Sequence, residues 1–201
     1  MANSLKVGGK LQAALARISA VKNISMKVGI LNSATNSETG ELIAPYAAAN
    51  EFGALVKVEA RKSQVHFKQA ADGSVGNRFV SREKSNFVQD VTIPAHNIII
   101  PARPFFRNTI KAESDKWAAN LTKKLAEQPV SKESVRDALQ MLGGVMVADI
   151  QNTIIEGNFV PISNGTWATK KRKGIANPEK PLVETGSMEN ALSFEIMDGS
   201  K

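Results

Sequence analysis

Apolar residues recur along this chain with two different periods, and the periods predict which segments are helices and which are strands. A spacing of three or four residues over 5–18 is typical of an amphipathic helix, and alternation over 26–31 is typical of a strand. A short helix near 187–191 and a strand over 193–197 are predicted in the same way. The polar, turn-rich segment over 32–40 is expected to be a loop.

The longest helical pattern lies in the second half of the chain and is interrupted once. Apolar residues at helical spacing cover 104–127, stop before Pro129, and resume over 131–156. Ser131 is a typical N-cap for the second helix, and Gly157 is a typical stop. Because the connection between the two helices is short, we expect them to lie antiparallel.

A separate segment before these helices has the alternation of extended chain. Strand patterns at 65–68 and 78–81 flank a turn-rich tip over 72–77, so these two strands are expected to pair as a hairpin. Further strand patterns occur at 56–58, 86–93 and 97–100. The segment 55–93 is interpreted either as a β-rich arm reaching an adjacent subunit or as a plain extension of the sheet.

Together these elements predict an α+β fold, in which two long antiparallel helices pack on a mainly antiparallel sheet with a β-rich hairpin arm. We expect one domain over 1–201, with 55–93 as an arm or insertion within it and 158–180 as an irregular basic loop. With 201 residues and 42% apolar content, the chain is long enough to bury a core.

Composition excludes several kinds of chemistry. Cysteine is absent, which rules out disulfides, thiolate metal sites and cysteine nucleophiles. No apolar run approaches the roughly 20 residues needed to cross a bilayer, and the amino terminus lacks a signal pattern. We therefore expect a soluble protein, made in the cytoplasm, without membrane contact.

The residues suited to catalysis do not form a recognisable set. His66 and His96 each lack a second histidine or a carboxylate at ligand spacing. The glycine pair within 7–10 lacks the preceding strand and the spacing of a phosphate-binding loop. A hydrolase would need a nucleophile, a base and an orienting group, and no such constellation is recognisable. We expect neither an enzyme nor any metal or other cofactor.

The net charge is +7 and is locally concentrated in a basic run. The run consists of Lys170, Lys171, Arg172 and Lys173. Three interpretations stay open: a solvated loop, a contact with DNA, and a docking site for an anionic partner. In a ring of six copies the charges would add to on the order of +42, which could attract DNA through the lumen without reading any base.

Three short turn-forming motifs carry the most specific signals. Each joins a stiff backbone element to an apolar anchor, and none presents a nucleophile together with a base. The first motif covers 46–53, the second 100–106 and the third 180–186. The residues singled out in them are Tyr46, Asn50, Glu51, Phe52, Gly53, Pro101, Arg103, Pro104, Phe105, Phe106, Pro181, Leu182, Glu184, Thr185 and Gly186.

The first motif predicts one short helix with a defined end. Pro45 suits its first turn, and Gly53 suits a left-handed stop. The face expected to pack on the core consists of Tyr46, Ala49 and Phe52. Asn50 and Glu51 are then expected to point outward, where they would cap a helix or bind a neighbour.

The second motif predicts a strand that ends and a helix that begins at a fixed angle. Pro101 and Pro104 each fix a φ angle and push the preceding residue toward extended geometry. The two phenylalanines that follow are expected to plug the helix into the sheet. Arg103 is expected to pair with a carboxylate, either within the chain, as with Glu51, or across a subunit boundary.

Taken in this order, the three motifs resemble those of the tail-completion or head-tail joining (neck) proteins of long-tailed bacteriophages. This family is related to phage virion morphogenesis proteins. Its recognisable marks are Asn-Glu-Phe-Gly and Pro-Ala-Arg-Pro-Phe, and Pro-Leu-Val-Glu-Thr-Gly with Trp167 and lysines ahead of it also matches. The chain departs from the family in its long 56–93 stretch, where shorter relatives pass almost directly from the first motif to the second.

The resemblance implies a structural virion protein at the junction between the DNA-filled head and the tail tube. The implied partners are copies of the chain itself in a ring, with a hexamer favoured, and the head connector, tail terminator or tail tube proteins. DNA in the lumen would be contacted without sequence specificity, and the protein would be located in the virion neck or tail after assembly in the host cytoplasm. The alternative, based on charge alone, is a basic sequence-independent DNA-binding accessory protein.

Overall fold

The structure is a computed structural model that describes residues 21–31, 34–36 and 39–198, and it confirms an α+β fold. The predicted helix over 5–18 lies outside the described residues. The helices are α1 (Ile43–Phe52), α2 (Phe105–Ala126), α3 (Lys132–Glu156), α4 (Asn164–Arg172) and α5 (Ser187–Asn190). The strands are β1 (Ile24–Ile30), β2 (Ala54–Val58), β3 (Arg61–Phe67), β4 (Phe87–Ile93), β5 (His96–Ile100) and β6 (Leu192–Asp198).

The chain divides into two compact units. One, here called the ribbon unit, is Ala54–Ile100, and the other, the core unit, comprises Met1–Gly53 and Pro101–Lys201. The ribbon unit includes the predicted 55–93 segment and extends it to the second motif. Within the part of the chain that the structure describes, no helix is both long and apolar enough to span a bilayer.

The core unit is built on an antiparallel pair of strands covered by α3. Strands β1 and β6 pair from Ile24 with Asp198 to Ile30 with Leu192, and α3 packs on both strands. Alternate positions of the two strands are apolar, as expected for a sheet with one buried face. The buried cluster consists of Ala47, Phe105, Ile150, Ile154, Phe159 and Leu192.

Helices α2 and α3 lie antiparallel, as their short connection predicts. Two side-chain hydrogen bonds fix the direction: Thr109 Oγ1 donates to Thr153 Oγ1 at 2.7 Å, and Trp117 Nε1 donates to Asp149 Oδ2 at 2.7 Å. Higher numbers on α2 therefore lie beside lower numbers on α3. The predicted N-cap is confirmed, since Ser131 Oγ accepts from a backbone N–H of the first turn of α3 at 3.1 Å.

One glycine of α3 is required by its packing against the sheet. A Cβ on Gly143 would lie 2.5 Å from a ring carbon of Phe194, whereas a Cβ on Gly144 would meet nothing within 4 Å. We expect Gly143→Ala to lower the free energy of unfolding by about 1–3 kcal/mol, because the ring cannot move away cheaply. Gly144→Ala is the matched control and should raise it by about 0.5–1 kcal/mol through helix propensity. Urea unfolding of both variants tests the pair, and equal effects would contradict it.

The ribbon unit is a pair of long antiparallel strand segments. Strand β2 pairs with β5 and β3 pairs with β4. The second register continues the first, because Val58 pairs with His96 and Arg61 pairs with Ile93, so that two residues are skipped on each side. Pro94 lies at this interruption, where its missing N–H costs no ladder bond.

The predicted pairing of 65–68 with 78–81 is wrong. The strand segment over 61–67 pairs instead with 87–93, and a single-turn 3-10 helix occupies Arg82–Lys84. The reason is a clamp at the end of the ladder: the Asn86 side chain accepts from Gln69 N at 2.7 Å and donates to Gln69 O at 2.8 Å. This clamp lies at Asn86, eight residues beyond the start of the strand predicted at 78.

The predicted irregular loop over 158–180 is also wrong in part, since residues 164–172 form α4. The helix begins at an ordinary N-cap, in which Ser163 Oγ accepts from Thr166 N at 3.2 Å. Just after the helix, Gly174 has a φ of 76°, a left-handed value that favours glycine and ends the helix. The basic run therefore lies on a helix.

Candidate functional site

The first and second motifs are joined by one carboxylate. Glu51 lies on α1 and is 3% exposed, so the expectation that it points outward is wrong. Its Oε2 accepts from Phe106 N at 2.9 Å, and its Oε1 accepts from Arg107 N at 3.2 Å. Glu51 thus binds the first turn of α2 across more than fifty residues of sequence.

The start of α2 explains why a carboxylate is needed there. The first backbone N–H groups of a helix have no partner within it, and they carry the positive end of its dipole. Pro104 is the N-cap of α2 and provides no side-chain hydrogen bond to these groups. Glu51 supplies the missing acceptors together with a negative charge, so it functions as an N-cap donated by another helix.

Arg107 completes this arrangement, although it lies just after the second motif and is not among the predicted site residues. Its Nε donates to Glu51 Oε1 at 2.8 Å, its Nη2 donates to Glu51 O at 2.5 Å, and its guanidinium lies 5.0 Å from the Phe52 ring centroid. One sequence signal could have found it. A cation in the first turn of a helix is unfavourable to the dipole, so its presence indicates a nearby carboxylate.

Arg103 has different partners from those expected. It does not pair with Glu51: its Nη1 donates to Asn50 Oδ1 at 3.2 Å, and its Nε donates to Val160 O at 3.0 Å. Its backbone N also donates to Asn50 O at 2.5 Å. The side chain is buried, and this burial lowers the pKa of the Arg103 guanidinium below its ordinary value. Asn50 and Arg103 therefore form a second connection between the first two motifs.

The aromatic side chains of the second motif are buried or partly buried, whereas those of the first motif are exposed. Phe105 is fully buried in the core cluster, with Phe106 packed against that cluster, which confirms the predicted plug. Tyr46 and Phe52, predicted to face the core, are 49% and 68% exposed. The reason is that α1 turns a different stripe inward, which consists of Ile43, Ala47 and Glu51.

An apolar groove lies beside this junction in the core unit. We call it the Phe52 groove; it has a volume of about 470 Å³ and is lined from β1, α1 and the first turns of α2. Its lining residues are Val28, Ile30, Ala44, Ala47, Ala48, Glu51, Phe52, Phe106, Arg107 and Ile110. Phe52 and Ile110 at this groove are at least half exposed. Such a groove is suited to receive apolar side chains.

The third motif encloses a lysine of the basic run. Lys170 is 2% exposed, and its Nζ donates to the carbonyl oxygens of Lys180 at 2.6 Å and Val183 at 2.5 Å. An ammonium held in this way cannot contact DNA in this conformation, so Lys170 is removed from the predicted contact set. Leu182 packs on the core cluster, so the motif closes over the end of α4.

The other residues of the third motif hold its turn. Gly186 has a φ of 73°, a left-handed value that favours glycine at this position. Glu184 Oε1 is paired with Lys173 Nζ at 2.8 Å, and Thr185 Oγ1 lies 2.5 Å from Ser187 Oγ. Pro181 is partly buried.

Burial of Lys170 predicts a pH effect. Desolvation lowers the pKa of Lys170, so at neutral pH the folded protein holds a proton less tightly than the unfolded chain does. The buried charge costs stability below the lowered pKa, and this cost is relieved as the pH rises from there toward the ordinary value near 10.5.

We therefore expect wild-type stability to rise relative to that of Lys170→Met as the pH increases through the alkaline range. Lys171→Met, at an exposed position of the same helix, is the control for replacing a lysine of α4 by methionine. Urea unfolding at several pH values measures both differences. A difference for Lys170→Met that is flat with pH would contradict the account.

The rest of the basic run is exposed. Lys171, Arg172 and Lys173 lie at the end of α4. Lys171 Nζ lies 4.9 Å from the ring centroid of Trp167, which is 39% exposed, so this helix combines cations with an aromatic ring. A solvated face and a contact with an anionic partner both fit this arrangement.

The ribbon unit exposes large apolar side chains where β2 pairs with β5. Leu55 lies opposite Ile99, and Val56 lies opposite Ile98, so the two pairs lie on opposite faces of the ribbon. Leu55 and Ile99 are 58% and 75% exposed. Both faces of this segment are therefore apolar.

Within residues 21–31, 34–36 and 39–198, no three histidine, aspartate or glutamate side chains are grouped to hold a metal ion. The charged groups of the motifs form hydrogen bonds and ion pairs within the chain. No protein-family model matches the chain, and the searches of curated proteins and of solved structures gave no significant match either.

Proposed function

We propose that this chain is a structural protein of a phage neck, which completes the tail or joins it to the head as part of a ring around the DNA passage. The order of its three motifs supports the proposal, because these motifs resemble those of that family. In this proposal the ring contains copies of the chain, with six favoured, and contacts the head connector and the tail terminator or tail tube.

One observation carries the structural role. The polar side chains that distinguish the first two motifs are used in bonds within the chain, as Glu51 and Arg103 show. Apolar side chains of the ribbon unit and, separately, of the Phe52 groove in the core unit are left exposed. A stiff junction that presents uncovered apolar surface is suited to assembly with other proteins.

Complementation tests this proposal. In a phage that encodes this chain, loss of the gene should yield filled heads and tails that are not joined or not completed, and a plasmid copy should restore infectious particles. Joined, infectious particles formed without the protein would overturn it. An Asn50→Ala/Arg103→Ala plasmid copy adds a structural arm: it should restore fewer particles, since it removes the side-chain hydrogen bond between the first two motifs and leaves only the backbone and Glu51 contacts.

The alternative is a basic DNA-binding accessory protein, and the exposed cations and tryptophan of α4 favour it. Binding to duplex DNA would then weaken steeply with salt, and Lys171→Gln/Arg172→Gln would reduce the slope of log affinity against log salt by roughly 2. Lys111→Gln/Lys123→Gln, two exposed cations of α2, is the matched control. No difference between the two double variants would exclude α4 as the DNA contact.

A further inference from the structure

We propose that the Phe52 groove of one copy receives the β2–β5 segment of the ribbon of a second copy. This inference rests on the proposed ring and deepens it, because it names the surfaces by which neighbouring subunits join. The occupant is therefore a second copy of this chain, and the contact is between two different surfaces.

The distribution of charge along the ribbon supports this choice of occupant. Among the described residues each of its strands pairs with one neighbour, so both outer edges lack a strand partner, and a two-stranded ribbon is marginally stable alone. Strands β3 and β4 carry exposed charges that discourage further association, such as Arg61, Lys62 and Asp90. Strands β2 and β5 carry one charged residue, Lys57, among exposed valine, leucine and isoleucine side chains. That segment is the part suited to being covered.

The groove supplies the complementary shape. It is concave, and a concave surface cannot be filled by the same surface of another copy, whereas a ribbon with apolar side chains on both faces can enter it. Phe52 and Ile110 would then lose their exposure to water together with Leu55 and Ile99. A contact between unlike surfaces is heterologous, and heterologous contacts generate closed rings when the rotation between neighbours closes.

Charge also matches at the edge of this contact. Arg107 is 56% exposed at the groove, and its Nε and Nη2 are used in bonds to Glu51, which leaves further N–H donors of the guanidinium for a carboxylate. Glu59 is exposed and follows β2 directly. An Arg107–Glu59 pair between copies would fix the register of the ribbon in the groove.

The absence of cysteine from the chain makes a direct test practical. Ile99→Cys places a thiol on the ribbon, and Ala48→Cys places one at the groove. When the two single variants are mixed and treated with a short thiol-reactive crosslinker, a dimer containing both should dominate on a denaturing gel. Asn120→Cys, at an exposed position of α2 away from the groove lining, replaces Ala48→Cys as the control and should give at least tenfold less dimer.

A second measurement separates failure of this contact from failure of the proposed ring. Leu55→Asp/Ile99→Asp should weaken self-association at least tenfold in mass photometry, whereas Thr92→Asp, exposed elsewhere on the ribbon, should leave it unchanged. If the wild-type protein self-associates but the mixed Ile99→Cys and Ala48→Cys variants give no crosslinked dimer, the inference is overturned and the ring stands. If a double variant, Ile99→Cys/Ala48→Cys, crosslinks only within one chain, the ribbon fills its own groove and the inference is equally overturned. Monomers that join no particle would remove the proposed function itself.

Discussion

Phe105→Ala is expected to lower the free energy of unfolding by about 3–5 kcal/mol. Phe105 is fully buried, and its ring packs at a centroid distance of 4.7 Å from that of Phe106, so truncation removes apolar contacts and leaves a cavity beside α3. A loss of this size is a large part of the 5–15 kcal/mol that stabilises an ordinary domain. Urea unfolding followed by tryptophan fluorescence measures it, because the buried Trp117 lies on the same helix.

Phe52→Ala is the matched control for this prediction. Phe52 belongs to the adjacent motif but is 68% exposed, and its ring lies against the Arg107 guanidinium. Its truncation should cost about 1 kcal/mol or less. Equal losses for the two phenylalanines would contradict the assignment of Phe105 as the buried plug and Phe52 as part of an interaction surface.

Glu51→Ala is expected to lower the free energy of unfolding by about 2–4 kcal/mol. The substitution removes the acceptors for two backbone N–H groups at the start of α2 and the anion paired with Arg107. Glu51→Gln keeps the shape of the side chain but removes its charge. It should therefore lower the free energy of unfolding by less than Glu51→Ala does, while remaining less stable than wild type. Chemical unfolding of the three proteins measures the order.

Two comparisons make this prediction specific to the capping role. Glu156 pairs with Lys180 at the surface and is 74% exposed, so Glu156→Ala should change stability by less than about 1 kcal/mol. A double-mutant cycle of Glu51→Ala with Arg107→Ala should give a coupling energy of about 0.5–3 kcal/mol. Additive effects would show that the pair contributes nothing beyond its separate contacts.

Local signals were sufficient to predict most elements of the core unit. Ser131 begins α3 with a side-chain cap, and the proline pair of the second motif places the start of α2 within a residue of Phe105. These signals act between residues that are neighbours in sequence, so they do not depend on tertiary contacts. The α+β class follows from these signals together with the periodicity, because a sequence with the helical period is unsuited to a strand and a sequence with the strand period is unsuited to a helix.

Partners that are distant in sequence could not be predicted in the same way. Both Arg103 and Arg107 are close enough in sequence to the second motif to pair with Glu51. The direction in which α2 leaves the proline turn places Arg107, and not Arg103, beside the Glu51 carboxylate. The ribbon shows the same limit, because strand-like patterns at 78–81 and 87–93 compete for one partner and a side-chain clamp by Asn86 decides. Such choices depend on tertiary geometry, which periodicity does not contain.

The basic run illustrates a third kind of limit. Four consecutive residues of a helix point in directions about 100° apart, so a helix with one buried face cannot expose all four. Once α4 forms, Lys170 is the member that turns inward, where two carbonyl groups receive its ammonium. Burial of one lysine cannot be predicted from a basic run that is interpreted as a loop, because a loop has no fixed buried face.

In the proposed function, this chain is a structural protein that assembles with copies of itself around the DNA passage. Cryo-electron microscopy of the intact neck of a virion that encodes it tests this most directly. The account predicts a closed ring of the chain, six copies favoured, with each ribbon in contact with the next subunit. A complete neck with no density for this chain would contradict it.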